Sequence, residues 1–69
     1  VPAQFDLEKF TKKLRQLREG AGISQEELAA RAGLDRSYIS LVERGRRSPT
    51  VNTLAKIAAV LSVEIKDFF

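Results

Sequence analysis

Neither cysteine nor histidine occurs among the 69 residues, and methionine and tryptophan are absent as well. Disulfides, thiolate nucleophiles, imidazole bases and the zinc sites built from such ligands are therefore excluded. The acids form no pair in a recognisable motif, and lysine and serine stand without a motif around them. No nucleophile and base can be assembled from this set, so the chain is not expected to be an enzyme. No metal, cofactor or small-molecule ligand is expected either. Long hydrophobic runs are also missing, since no apolar stretch approaches the roughly 18 residues that span a bilayer, and there is no signal-peptide pattern. A membrane-surface role is disfavoured, because the first helical segment is only modestly amphipathic and lacks tryptophan. The expectation is a soluble, cytoplasmic protein. With no initiator methionine, the chain is expected to be processed or excised from a longer one.

What is present is a basic, helix-forming sequence. Apolar residues make up 43% of it, enough for a globular core, and the net charge of +3 suits a polyanionic partner. The distribution says more than the total. Lys9, Lys12, Lys13, Arg15 and Arg18 cluster early, Arg44, Arg46 and Arg47 cluster later, and no acid occurs from Arg44 through Val63. A merely solvated charged surface is the bland reading of the same pattern.

Periodicity divides residues 6–69 into one all-α domain, behind a flexible lead-in over residues 1–5. Leu7, Phe10, Leu14 and Leu17 recur at three- and four-residue steps, predicting a helix over residues 7–19 with Asp6 as its cap and Gly20 and Gly22 at its end. Ser24 starts a second helix, and Glu27 three residues on would complete a capping box. Gly33 ends that helix, and Asp35 is the expected cap of a third that runs to about Arg44 before Gly45 stops it. Thr50 is the expected cap of a fourth helix ending at Leu61, with Val51, Leu54, Ile57, Ala58 and Leu61 as its buried stripe. A short fifth helical turn over residues 64–68 closes the domain. The prediction is a compact five-helix domain with a helix-turn-helix at residues 24–44.

Three stretches carry a family resemblance: Gly22-Ile23-Ser24-Gln25-Glu26-Glu27-Leu28-Ala29, Leu34-Asp35-Arg36-Ser37-Tyr38-Ile39-Ser40, and Glu43-Arg44-Gly45-Arg46-Arg47-Ser48-Pro49. In this order and spacing the sequence resembles the Cro/C1-type helix-turn-helix family of phage and bacterial transcriptional repressors, over about residues 8–68. Within that family it is similar to the small controller proteins of restriction-modification systems, although those often have glycine at the position of Leu41. The resemblance implies a lambda-repressor-like fold and sequence-specific binding of double-stranded DNA. The third helix would enter the major groove with its amino-terminal half leading.

On that implication Arg36, Ser37, Ser40 and Leu41 are the expected base-reading residues. Arg36 can bond both acceptors of a guanine edge, or it can be a surface charge that touches phosphate only. Leu41 can meet a thymine methyl, or it can fold onto apolar neighbours. Gln25, Tyr38, Arg46 and Arg47 are assigned to the DNA backbone, with a packing role for Tyr38 left open. Arg18 and Glu43 match a pair that the family places behind the recognition helix, and are assigned to a structural brace. That pair is either a buried bidentate bridge or an exposed one of little worth.

Repressors of this kind read half-sites about one DNA turn apart as twofold dimers. Val60, Ile65, Phe68 and Phe69 are surplus apolar residues expected at a homodimer interface, unless Phe68 plugs the core of its own chain. The expected function is a transcriptional regulator, a repressor or controller, that reads a palindromic operator. Two other classes stay open. A protein-interaction module would use the third helix against a protein, which favours an apolar or acidic face there. RNA binding would call for a stacked-aromatic platform, which the chain lacks.

Overall fold

A computed structural model describes residues 6–69; the expected lead-in over residues 1–5 lies outside the described residues. Four α-helices follow one another: α1 (Leu7–Gly20), α2 (Gln25–Ala32), α3 (Arg36–Glu43) and α4 (Val51–Leu61). The predicted fifth helix is a single 3₁₀ turn, Ile65–Phe68. Four residues cannot complete the hydrogen-bond pattern of an α-helix, and the tighter i to i+3 geometry is the usual form for so short a piece.

The caps explain most boundaries. Asp6 accepts from the Lys9 amide at 3.0 Å, Ser24 Oγ from the Glu27 amide at 3.0 Å, and Thr50 Oγ1 from the Thr53 amide at 3.1 Å. Each satisfies one of the amides that a helix start leaves without a partner. Two expectations need correction. The Glu27 carboxylate does not close a capping box but engages Arg31 one turn further on. Asp35 occupies the cap position of α3, yet its side chain makes no capping hydrogen bond. Between α2 and α3, Gly33 adopts φ +69°, and the Leu34 amide closes onto the Ala29 carbonyl at 2.8 Å. This is the left-handed exit that reverses the chain after α2.

All four helices contribute to one core. Phe10 and Leu14 of α1 meet Leu28 and Ala29 of α2, Ile39 and Val42 of α3, and Leu54, Ile57, Ala58 and Leu61 of α4, whereas Val51, expected on that stripe, opens the helix 74% exposed. The small side chains Ala29 and Ala32 face inward on α2, so α3 can pack closely against it. Phe68 seals the end, its ring centroid 5.5 Å from that of Phe10 at a tilt of 58°. The expectation that Phe68 serves a dimer interface is therefore corrected: at 1% exposure it is spent inside its own chain. Among the described residues no helix is long and apolar enough to cross a membrane.

Candidate nucleic-acid interface

The eight residues of α3 divide cleanly by helical phase. Ile39, Val42 and Glu43 turn inward and are buried. Arg36, Ser37, Ser40 and Leu41 turn outward and line one shallow open depression together with Arg44. Arg36 and Ser37 are exposed, while Ser40 and Leu41 are half-buried. Leu41 therefore stands on the outer face and is not part of the core. Arg44 was not assigned a site role from the sequence. It lies two turns beyond Arg36 on the same face, and its Nε donates to the Ser40 carbonyl at 3.3 Å. The i, i+4, i+8 spacing was the signal that could have found it.

The uncapped Asp35 leaves the first amides of α3 free of any side-chain acceptor at the end where Arg36 and Ser37 stand. Beyond the helix, the Arg47 guanidinium lies over the Tyr38 ring, 5.1 Å from its centroid. A cation over an aromatic face is attracted by the ring's quadrupole, so the loop after α3 is tied back to the helix. Tyr38 is half-buried against the core, and Arg46 is exposed beside this pair.

Behind α3 sits a buried carboxylate. The Glu43 side chain has no solvent exposure. Arg18 Nε donates to Glu43 Oε2 at 2.6 Å and Arg18 Nη2 to Oε1 at 3.1 Å, while Nη1 donates to the Ile23 carbonyl at 2.9 Å. This fork-to-fork geometry joins the end of α1 to the end of α3. Gln25 Nε2 donates to Glu43 Oε1 at 3.1 Å, and Arg15 Nε lies 3.6 Å from the same oxygen. Gln25, read from sequence as a phosphate contact, is thus half-buried and tied to the carboxylate, a link 18 residues long that no local pattern reveals.

The electrostatics follow from that geometry. Burial alone would push the Glu43 carboxyl up. The hydrogen bonds from Arg18 and Gln25, with the charges of Arg18 and Arg15, outweigh it and hold the carboxyl below the usual carboxylate range. Arg18 is moved the other way, chiefly by its hydrogen bond to Glu43, so both partners stay charged. No buried side-chain nitrogen or oxygen among the described residues lacks a partner.

Of the apolar residues assigned to a dimer interface, Val60 and Ile65 are half-buried and Phe69 is 58% exposed. The described residues contain no group of three or more acids that could hold a metal ion.

The helix-turn-helix (HTH_3) family model matches residues 14–68. An uncharacterized HTH-type transcriptional regulator, y4dL of Sinorhizobium fredii, is 43% identical over 61 residues, which are 88% of this chain and 31% of that protein. The chain thus spans about a third of the length of that regulator. Control protein C.MunI of a Mycoplasma species is 40% identical over 62 residues, covering 88% of this chain and 84% of its relative. Among solved structures, the restriction-modification controller protein C.AhdI from Aeromonas hydrophila superposes with a TM-score of 0.89 at 47% identity, covering 93% of this chain and 97% of that one. A helix pair joined by a glycine turn, a polar outer face on its second helix and these relatives lead to one assignment: the chain belongs to the Cro/C1-type helix-turn-helix family of DNA-binding transcriptional regulators, not to an enzyme family.

Proposed function

We propose that the chain is a cytoplasmic repressor or controller that reads a palindromic operator in double-stranded DNA through the outer face of α3. The observation that carries this reading is the single polar face formed by Arg36, Ser37, Ser40, Leu41 and Arg44, on a helix whose opposite side is fixed by the Arg18–Glu43 bridge. Arg36 reads a guanine edge through its two-pronged guanidinium, Ser37 and Ser40 supply short hydroxyls, and Leu41 meets a thymine methyl. Tyr38, Arg46 and Arg47 flank this strip and ground it on phosphates, a salt-sensitive contribution that is blind to sequence. Gln25 adds a phosphate contact from the start of α2. The outer face of α3 has neither the acidic character nor the continuous apolar patch that a protein-docking helix would favour.

One such module covers too little DNA for a specific operator, so two copies bind as a twofold dimer. Val60, Ile65 and Phe69 supply the apolar contact between them. The controller proteins C.MunI and C.AhdI, similar along most of their length, support the controller reading. Selection of bound fragments from a random duplex pool tests the function. The expected product is an inverted repeat with half-sites about 34 Å, one helical turn, apart. A pool that enriches no motif at low salt, or enriches only single half-sites, would reject the operator reading.

A further inference from the structure

Five basic residues lie on α1, and the function proposed above uses only Arg18, as a brace. Arg15 differs from the three lysines in how it is held. Its Nε points to Glu43 Oε1 at 3.6 Å, the same atom that accepts from Gln25 at 3.1 Å. Arg15 of α1 and Gln25 of α2 therefore converge, with Arg18, on one oxygen at the end of α3. That oxygen does not need them for charge, because Arg18 already bonds both oxygens of the carboxylate. One carboxylate between two guanidiniums leaves one positive charge in surplus. The surplus sits on Arg15, whose side chain is 52% exposed against 11% for Arg18.

The spare hydrogen-bonding capacity points the same way. A separation of 3.6 Å is an ion-pair distance and not a hydrogen bond, so Arg15 is steered by Glu43 without being consumed by it. A guanidinium has five N–H donors in a rigid fork, and a carboxamide has two, of which Gln25 commits one to Glu43. What remains is a fork and an amide N–H, both anchored on the same buried oxygen. Their shared ligand is a tetrahedral oxyanion.

We infer that Arg15 and Gln25 together grip a single phosphate of the DNA backbone, and that Glu43 is the positioning residue that sets this grip in register with α3. The inference rests on the DNA-reading function proposed above. It makes the buried carboxylate more than a brace, because the reading helix and a backbone anchor are then fixed to the same atom.

The test measures binding of the wild-type chain and of Arg15→Ala, Arg15→Gln, Gln25→Ala and Glu43→Gln to a selected operator and to an unrelated duplex over a salt series. Operators carrying one uncharged methylphosphonate at each backbone position in turn complete the set, and circular dichroism checks that each variant is folded. Arg15→Ala and Arg15→Gln are expected to weaken both duplexes roughly three- to ten-fold and to reduce the salt slope by about 0.9, the value of one lost phosphate contact. One methylphosphonate position should weaken the wild type clearly more than it weakens Arg15→Ala or Gln25→Ala, each of which keeps one of the two contacts, and it should be the same position for both. In folded Glu43→Gln the penalty at that position should shrink. An unchanged salt slope in both Arg15 variants, or different phosphates for Arg15 and Gln25, overturns the shared grip. An undiminished penalty in folded Glu43→Gln overturns the positioning role. If these fail while the wild type still reads its operator, the proposed function stands without them. If the wild type binds no duplex at low salt, both fall together.

Discussion

Arg36 and Glu43 stand at opposite ends of α3 and at opposite extremes of exposure. Arg36→Ala is expected to relax preference at one base pair by about 1–3 kcal/mol, leaving affinity for unrelated DNA nearly unchanged. Binding to a set of singly substituted operators checks this, and an equal loss on every duplex would reject base reading by Arg36. Glu43 governs stability instead. Its carboxyl is held below the usual range, so its stabilising contribution is complete above the ordinary glutamate value of about 4.3 and drains away as pH falls through the lowered folded value. Urea midpoints measured from pH 7 down to pH 3 should fall at the acid end, and Glu43→Gln should flatten that fall. Arg18→Ala leaves the carboxylate buried with its main partner gone, an expected loss of about 3–5 kcal/mol out of a total near 5–15 for a domain of this class. Sequence reading reached Arg18 and Glu43 through the family pattern. The hold of Glu43 on Arg15 and Gln25 escaped it, because it joins three helices and leaves no periodic trace.

Among the elements, the helices most visible in the sequence were those whose punctuation is local. Asp6, Ser24, Thr50 and Gly33 act within four residues of themselves, and their roles can be seen in the bare string. Asp35 and Glu27 carry the same local signals, but the Asp35 side chain makes no capping bond and Glu27 turns to Arg31. Residue identity sets what a cap can do, and neighbouring partners decide what it does. The end of α4 held a feature the sequence did not flag: Ser62 takes φ +57°, a left-handed conformation that costs a residue with a Cβ about 1–2 kcal/mol. Ser62→Gly is expected to relieve that strain at the cost of a more flexible unfolded chain, a net gain of about 0.5–1 kcal/mol. Thermal unfolding should show a higher midpoint with DNA affinity unchanged. A lower midpoint would mean that the serine makes a contribution that glycine cannot replace.

At the scale of the whole molecule, apolar periodicity separates buried from exposed but cannot tell one chain's core from the contact between two. Val60, Ile65, Phe68 and Phe69 are alike in the sequence, and only packing distinguishes sealed Phe68 from exposed Phe69. Two substitutions should therefore part company. Phe69→Asp is expected to reduce self-association, seen by sedimentation at tens of micromolar, while costing the monomer only the stacking of Phe69 on Phe10, about 0.5–1.5 kcal/mol. Phe68→Ala empties a buried aromatic site and should cost about 3–5 kcal/mol, unfolding much of the population whatever its oligomeric state. A Phe69→Asp protein that associates as the wild type does would remove Phe69 from the proposed interface. The pairing of Phe68 with Phe10 has a further consequence in time. One ring belongs to α1 and the other to the 3₁₀ turn that closes the domain, so on the ribosome the contact between them cannot form until almost all of residues 6–69 have been made. A nascent chain carrying an arrest sequence at increasing distance from Phe68 should generate folding force only after that residue has cleared the exit tunnel. Until then, Arg36, Ser37, Ser40 and Leu41 belong to a helix whose supporting core is not yet sealed.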